Sequence, residues 1–301
     1  MTDKENQLAM EKGREWRLPA FQDQVRSAGL YIVATPIGNL GDISIRALDT
    51  LCAVDVVLCE DTRVSGKLMS HYGVDAKLET YNDHSDAGKR GAILSRIHNG
   101  TKFALISDAG MPLISDPGYK LVSELIEVGC FVTSISGANA PLSALQLSGM
   151  PSDAFSFIGF LPSKAGARRA YLEAWAGAQG SLLMFESANR LKASLKDIHV
   201  VFHDRRVAVV REISKKFESV VFGSAAELLE LYEAEGLPKG EIVLVIEPPR
   251  RVVFKDEDID ALLKDALLSK GTKEAAALVA SQTGLKKSDL YDLALKIAKS
   301  L

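Results

Sequence analysis

The sequence predicts an α/β protein with two α/β domains and a small C-terminal helical domain. Short β-rich runs alternate with helical patterns from Gly29 onwards, which is typical of parallel βαβ units. Around residues 206–223 two β-rich runs follow each other without a helix between them, which indicates an antiparallel portion in the second sheet. After "EPPRR" at 247–251 the β-rich runs stop and helical patterns remain.

Residues 1–28 are predicted to be an N-terminal extension outside the folded domains. They carry five Lys or Arg and five Asp or Glu with little periodicity. Such a composition suits a mobile or loosely docked segment, and the sequence leaves open whether it is ordered.

Residues 29–149 form the predicted N-terminal α/β domain, in which apolar β-rich runs and amphipathic helical runs alternate. Its elements are, in order, "LYIVAT", "SIRALDTLCAV", "DVVLCE", "RVSGKLMSHYG", "KFALIS", "GYKLVSELIEVG" and "FVTSIS".

Residues 150–250 form the predicted C-terminal α/β domain, after "SGMPSD" at 148–153 interrupts the periodicity. Its elements are "AFSFIGF", "ARRAYLEAWAGA", "SLLMFES", "RLKASLKDIHVVF", "RVAVVREI", "ESVVFGS", "AAELLELYEA" and "EIVLVIEPP".

Residues 251–301 form the predicted helical tail, and its last two helices flank "TGLKKSD", which resembles a helix-turn-helix. From Lys270 to Leu301 there are six Lys against three acidic residues. Two interpretations stay open: a basic RNA-contacting tip, or a helical cap that closes the second domain.

The composition excludes several classes of function. No apolar run approaches the roughly 20 residues of a membrane helix, so we expect no membrane partner and a cytoplasmic protein. The net charge of -3 means that any RNA site must be a local basic patch. The scattered His residues predict no metal site, and a GxSxG nucleophile motif does not occur.

Four loops follow predicted strands of the first domain, where ligands of open α/β sheets bind. The second of them places Glu60, Asp61 and Arg63 directly after a buried strand. These charges either bind substrate and transfer a proton, or form an ion pair that caps the next helix. The loops are "TPIGNLGDIS" (35–44), "CEDTRVSG" (59–66), "ISDAGMPLISDPG" (106–118) and "ISGANAP" (135–141).

An ordered series of motifs resembles the ribosomal RNA small-subunit methyltransferase I family, within the tetrapyrrole methylase-like superfamily. The resemblance implies two α/β domains with a cofactor cleft between them, and a homodimer. It further implies methyl transfer from S-adenosyl-L-methionine to the 2′-hydroxyl of a cytidine in the decoding region of small-subunit rRNA. The motifs are "LYIVATPIGNLGDISIRALDTLCAVDVVLCEDTR", "YNDHS", "ISDAGMPLISDPGYKLV", "LPSK", "FESANR", "REISKKFE" and "KGEIVLVIE".

The resemblance also implies residues for the cofactor, which come from loops of both domains. Those residues are Pro36, Asp108, Ala109, Gly110, Ile114, Ser115, Asn139, Ala140, Phe185, Glu186, Lys239, Gly240 and Glu241.

For catalysis we hypothesise that Glu60 or Asp61, or as a weaker option His84, assists removal of the 2′-hydroxyl proton, while Arg63 orients the ribose phosphate. A site that has no protein base and relies on water is the alternative. For RNA we predict four basic residues near "LPSKAGARR" and "FESANR", where phosphates could be neutralised. They are Lys164, Arg168, Arg169 and Arg190.

Two departures from the family pattern bear on the cofactor. Met111 stands where the family usually has Thr, and Ser136, Gly137 and Ala138 stand where it usually has PGP or similar. Two rival functions stay open: a small-molecule, tetrapyrrole-type methyltransferase of the same superfamily, and a noncatalytic RNA-binding ribosome-assembly factor.

Overall fold

A computed structural model of the chain describes residues 27–82, 87–249, 256–283 and 285–298. The chain divides into two compact units, which meet in sequence between Pro248 and Pro249. The extension predicted for residues 1–28 lies outside the described residues except for its last two. The boundary predicted at 149/150 stays a prediction, because both sides of it belong to the same compact unit.

The first sheet consists of five parallel strands in the order β3-β2-β4-β1-β5. Its two faces are both covered, since Tyr31 and Val33 of β1 pack on one side and Leu30 packs on the other. All five carboxyl ends therefore share one edge. The strands are β1 Gly29–Val33, β2 Val56–Cys59, β3 Lys77–Thr80, β4 Lys102–Leu105 and β5 Phe131–Ile135.

The helices of this part alternate with the strands, as the sequence predicts. Three elements were absent from the prediction: the edge strand β3, the helix α3 that follows it, and the helix α5 that follows β5. The helices are α1 Ile45–Ala53, α2 Thr62–Tyr72, α3 Ala87–His98, α4 Tyr119–Glu127 and α5 Ala140–Ser148.

The second sheet is mixed, with the order β6-β7-β10-β8-β9. Only β6 and β7 pair in parallel, and the other three neighbouring pairs are antiparallel. The antiparallel portion predicted around residues 206–223 is confirmed by β8 and β9, which run from the pair Arg206 and Ser224 to the pair Arg211 and Ser219. The strands are β6 Phe155–Phe160, β7 Ser181–Ser187, β8 Arg206–Arg211, β9 Ser219–Ser224 and β10 Glu241–Ile246.

Helices also cover both faces of the second sheet. One face packs against α6 Ala165–Ala174, α7 Leu191–Phe202 and α8 Ala225–Ala234. The other face packs against α5, whose Ala144 and Leu145 share a core with strand residues of this sheet. The helix that follows the first sheet therefore joins the two halves and places the loop after β5 beside the second sheet.

The second compact unit contains α9 Asp256–Leu267, α10 Thr272–Thr283 and α11 Lys287–Ala298. These helices share an apolar core that includes Leu263, Val279 and Leu290. The predicted helical domain is thereby confirmed. Within the described ranges, none of the helices combines the length and the apolar character that a membrane span requires.

Candidate active site

The loops after β1 and β4 are tied together at the carboxyl edge of the first sheet. The Thr35 amide donates to the Gly110 carbonyl over 2.8 Å, and the Gly110 amide donates to the Thr35 carbonyl over 3.1 Å. The Thr35 hydroxyl also donates to the Ser107 carbonyl. This bridge fixes "TPIGN" against "SDAG", the two loops that the sequence predicts to lie at the site.

The loop after β4 has a strained backbone. Gly110 has a φ of +80°, and a Cβ there would lie 3.2 Å from Ile37 Cγ2. Leu113 and Ser115 have φ values of 71° and 67°, which side-chain-bearing residues seldom adopt. Such outliers concentrate at ligand sites, where the surrounding structure holds them in place.

A cavity of about 290 Å³ lies between the loops of the first sheet and the end of the second. We name it the main cavity. Its walls are largely apolar, and Phe185 contacts the rings of Phe157 and Phe160 at centroid distances of 4.9 and 5.2 Å. Its lining residues are Ile37, Ala109, Ala140, Phe160, Phe185, Glu186, Ser187, Ile213, Gly240, Glu241, Ile242 and Val243.

A smaller cavity of about 150 Å³ adjoins the main cavity and shares five of its residues. We name it the side cavity. The residues that it adds come from the loop after β4 and from the start of α5, and they are Gly110, Met111, Ile114, Ser115, Asp116, Asn139 and Pro141.

The structure brings together at these two cavities ten of the thirteen residues predicted for the cofactor. Pro36, Asp108 and Lys239 do not line either cavity, although each adjoins a residue that does. The sequence reasoning missed Ile37 and Phe160, which are apolar residues with no polar or glycine signal. Their place in the walls of both cavities follows only from the fold.

The loop that contains Gly240 is held by a charged network. The Lys215 ammonium donates to Glu212 over 3.0 Å and to Glu241 over 2.8 Å. The Glu241 amide donates to Glu212 over 2.9 Å. The stem of Lys215 also fills the space beside Gly38, where a Cβ would lie 2.4 Å from Lys215 Cγ. "REISKKFE", whose role the sequence left open, therefore connects the loop after β1 with "KGE".

At the end of β2, Asp61 and Arg63 form an ion pair that caps a helix. Asp61 is the N-cap of α2, and its carboxylate accepts from the Arg63 amide over 2.8 Å and from the guanidinium over 2.6 Å. These Arg63 contacts lower the pKa of the Asp61 carboxyl to about 2. This geometry matches the second interpretation of these charges, an ion pair that caps the next helix. A carboxyl with so low a pKa is a weak proton acceptor.

Asp108 lies beside this ion pair, at the end of the neighbouring strand. Partial burial raises the pKa of the Asp108 carboxyl, and the charge of Asp61 raises it further, against a hydrogen bond from the Asp61 amide that lowers it. Glu60 precedes the pair and is half-buried. His84 lies outside the described residues, so its predicted role stays a prediction.

The comparisons with known proteins follow the same division of the chain. The family described as Tetrapyrrole (Corrin/Porphyrin) Methylases matches residues 29–229, and the one described as RsmI C-terminal HTH domain matches residues 255–298. The ribosomal RNA small subunit methyltransferase I of Mesorhizobium japonicum is 45% identical over 89% of this chain and 92% of its own length. That of Erythrobacter litoralis is 48% identical over 90% and 96%. The chain belongs to the ribosomal RNA small subunit methyltransferase I family.

It is therefore a methyltransferase, and solved structures show its fold. A uroporphyrin-III C-methyltransferase from Thermus thermophilus, complexed with S-adenyl homocysteine, matches with a TM-score of 0.51 at 17% identity. The match covers 73% of this chain and 97% of that one. The predicted tetrapyrrole methylase fold is confirmed.

The methyltransferase accommodates Met111, one departure from the family pattern, by a contact with Asn139. The Asn139 amide nitrogen lies 3.3 Å from the Met111 sulfur, and the Asn139 oxygen accepts from the Leu142 amide over 2.9 Å. Asn139 thus caps α5 and holds Met111 at the side cavity. A thioether sulfur is a weak hydrogen-bond acceptor, so this contact is a weak one.

Glu186 and Arg190 of the methyltransferase form an internal pair. The Glu186 carboxylate is buried, accepts from the Ser187 amide over 2.8 Å and from the Ser194 hydroxyl, and lies 3.5 Å from Arg190 Nε. Arg190 also donates to the Leu161 carbonyl. The Arg190 side chain is 33% exposed, so its predicted contact with RNA stays a prediction. Glu186 lines the main cavity, but its carboxylate is held by protein groups.

Arg168 is a structural residue, which corrects its assignment to RNA. It is buried and donates to Asp197 over 2.7 Å and to the Ser163 carbonyl over 3.0 Å. Arg169 donates to the other oxygen of Asp197 and keeps half of its side chain exposed. Lys164 is exposed. Lys164 and Arg169, like Arg190, therefore stay predicted RNA contacts.

Proposed function

We propose that this methyltransferase transfers a methyl group from S-adenosyl-L-methionine to the 2′-hydroxyl of a cytidine in the decoding region of small-subunit rRNA. The observation that carries the proposal is that residues of both α/β halves converge on one apolar cavity in a member of this family. The names of the relatives supply the rRNA substrate. The 2′-hydroxyl and the cytidine come from the family resemblance.

The main and side cavities fit this cofactor in their chemistry. Aromatic and aliphatic walls suit a flat purine, and Phe160, Phe185 and Ile242 supply them. The loop after β4 offers backbone groups at Gly110, where close approach is possible because no side chain intervenes. Glu241, which is largely exposed at the rim, offers a carboxylate for a hydroxyl or amine.

When bound, S-adenosyl-L-methionine supplies an activated methyl group on a positively charged sulfur. The methyltransferase must place the 2′-oxygen in line with it and accept the hydroxyl proton. We assign proton acceptance to Asp108 or Glu60, because they stand at the ends of adjacent strands beside the cavity loops. Asp61 is bound to Arg63 and serves to hold the start of α2.

Contacts with rRNA phosphates are assigned to Lys164, to Arg169 and to lysines of the helical tail. Lys164 and Arg169 lie at the start of α6, and Lys286 and Lys287 precede or begin α11. Cationic side chains of this kind make RNA binding depend on salt concentration. The helix-turn-helix match of residues 255–298 supports a nucleic-acid role for the tail.

A cytoplasmic homodimer completes the proposal. The edge strand β5 and the preceding turn expose Phe131, Ile126 and Val128, which form an apolar surface beside an unpaired strand edge. An exposed apolar patch of this kind favours association of two copies. Sedimentation of the purified chain tests it, and a monomer at micromolar concentration would contradict it.

The decisive experiment uses purified protein, S-adenosyl-L-methionine with a labelled methyl group, and either small subunits or naked rRNA that lack the modification. We expect label in rRNA, recovered as a 2′-O-methylated cytidine after digestion. Label on a base, or transfer to a tetrapyrrole instead of rRNA, would contradict the proposal. Cofactor binding without any transfer would favour a noncatalytic assembly factor.

A further inference from the structure

A third cavity, of about 200 Å³, lies on the side of the first sheet where β3 ends and α4 begins. We name it the polar cavity. It shares Asp116 with the side cavity, so the two cavities adjoin at this residue. Besides Gly118, the residues that line it are Tyr81, Asn82, Arg90, Asp116, Tyr119 and Lys120.

The polar cavity differs in chemistry from the main cavity. Tyr119 is 71% exposed although it is aromatic, and it begins α4 directly after Gly118, which has no side chain to cap that helix. Lys120 is exposed and makes no ion pair within the described part of the chain. Arg90 is anchored by Glu124 over 2.6 Å, which fixes its guanidinium at the cavity wall.

We propose that the polar cavity binds the base of the nucleotide that is methylated, a pyrimidine with an exocyclic amine. This inference rests on the proposed function. Single-stranded RNA is read by stacking of splayed bases on aromatic side chains and by hydrogen bonds to their Watson–Crick edges. The polar cavity offers both kinds of group within one space.

Each group of the polar cavity has a counterpart on a cytosine nucleotide. The exposed face of Tyr119 stacks on the ring. The Asp116 carboxylate accepts from the exocyclic amine at C4, since a carboxylate has no proton to donate. Arg90 and the Asn82 amide donate to the ring nitrogen and the carbonyl oxygen, and Lys120 neutralises the adjoining phosphate.

The shared Asp116 joins base recognition to the cofactor loops, because it lines both the polar cavity and the side cavity. Uracil presents a carbonyl oxygen where cytosine presents its amine, so the Asp116 carboxylate would repel uracil.

The test measures methyl transfer to two rRNA substrates that differ only at the mapped position, with cytidine or uridine there. The variants are Tyr119→Ala, Tyr119→Phe and Asp116→Asn. Phe222→Ala is the matched control, because Phe222 is 41% exposed on the edge strand β9 and lines none of the three cavities. Calorimetric titration with S-adenosylhomocysteine reports on the cofactor site of every variant.

We expect Tyr119→Ala to lower kcat/KM on the cytidine substrate by about tenfold or more, because one base–aromatic stack is lost. Tyr119→Phe should stay within about twofold of the wild type, since the ring remains. Asp116→Asn should reduce the preference for cytidine over uridine by roughly ten- to a hundredfold, because an amide can also donate to uracil. Cofactor affinity of both Tyr119 variants and of Phe222→Ala should be unchanged.

The experiment distinguishes a failure of this inference from a failure of the proposed function. If the wild type methylates rRNA but Tyr119→Ala matches Phe222→Ala, or Asp116→Asn keeps the full cytidine preference, the inference is overturned and the function stands. If the wild type binds the cofactor and methylates no rRNA, the proposed function is overturned and the inference with it.

Discussion

Replacement of Gly240 by alanine tests the network behind the main cavity. Gly240 has a φ of +101°, and a Cβ there would lie 2.3 Å from Glu212 Oε1 and 2.6 Å from Glu212 Cγ. Glu212 must therefore move, although its carboxylate accepts hydrogen bonds from Glu241 and Lys215. The side chain of Glu212 is 18% exposed, so water replaces these bonds only in part.

The magnitude follows from two contributions. A side chain in the left-handed region costs about 1–2 kcal/mol, and loss of a hydrogen bond to a charged group costs about 1.5–3 kcal/mol. We expect Gly240→Ala to lower the free energy of unfolding by about 3–5 kcal/mol. Gly236→Ala is the matched control, because Gly236 has a φ of +89° and a Cβ there would meet no atom within 4 Å. It should lose only about 1–2 kcal/mol.

The assay is urea unfolding followed by circular dichroism, with calorimetric titration of S-adenosylhomocysteine. Because Gly240 lines the main cavity, Gly240→Ala should also weaken binding, whereas Gly236→Ala should not. Equal losses of stability in the two variants would refute the reasoning, since they would show that Glu212 moves without cost.

The difference in stability between Gly240→Ala and Gly236→Ala should depend on pH. The backbone amide of Glu241 and the Lys215 ammonium hold the pKa of the Glu212 carboxyl below its ordinary value of 4.5. A lowered pKa in the folded state contributes stability that is present above 4.5 and is lost as the pH falls through the folded-state pKa. The difference in the free energy of unfolding between Gly240→Ala and Gly236→Ala should therefore become smaller as the pH falls below 4.5.

Three further predictions concern charged residues. Arg168→Met should lower the free energy of unfolding by about 3–5 kcal/mol in urea titrations, because it leaves Asp197 buried without its main partner. The control Lys164→Met should change the free energy of unfolding by less than about 0.5 kcal/mol. Lys164→Met should instead weaken rRNA binding and reduce the salt dependence of binding by about one phosphate contact. Asp61→Asn removes a charge that raises the pKa of Asp108. If Asp108 accepts the proton, the fall in kcat on the acidic side of the pH profile should therefore move to lower pH. An unchanged pH profile would argue against Asp108 as the proton acceptor.

The parts of the fold that the sequence predicted are those with strong periodic signals. The strand β2 is buried at every residue, and its apolar run is unmistakable. The strand β3 was missed because it lies at the sheet edge, where Lys77 and Glu79 are partly exposed and form an ion pair with each other. The helix α3 was missed because Gly88 and Gly91 weaken its apolar periodicity.

The candidate site, too, was predicted from the sequence only in part. The residues Ala109 and Gly110 of "SDAG" and Phe185 and Glu186 of "FES" were found from the family resemblance, and the structure brings them together at the cavities. The role of Arg168 was wrong because the absence of acidic residues nearby in sequence does not exclude a partner nearby in space. That partner, Asp197, lies 29 residues away on α7 and becomes a neighbour only when α6 and α7 pack together.

The composition of the loop after β4 is explained by the two sites that it lines. Ala109 to Met111 face the side cavity, while Gly118 and the following Tyr119 face the polar cavity, with Asp116 common to both. Left-handed residues at 113 and 115 turn the backbone between these two stretches, at a local cost of about 1–3 kcal/mol each. Packing of Gly118 against Leu105, where a Cβ would lie 2.8 Å from Leu105 Cδ2, holds the far end of the loop on β4. Under the functions proposed above, Gly110, Asp116 and Gly118 of this loop therefore shape the cofactor site and the base site together, and a change that relaxes the turn should alter both.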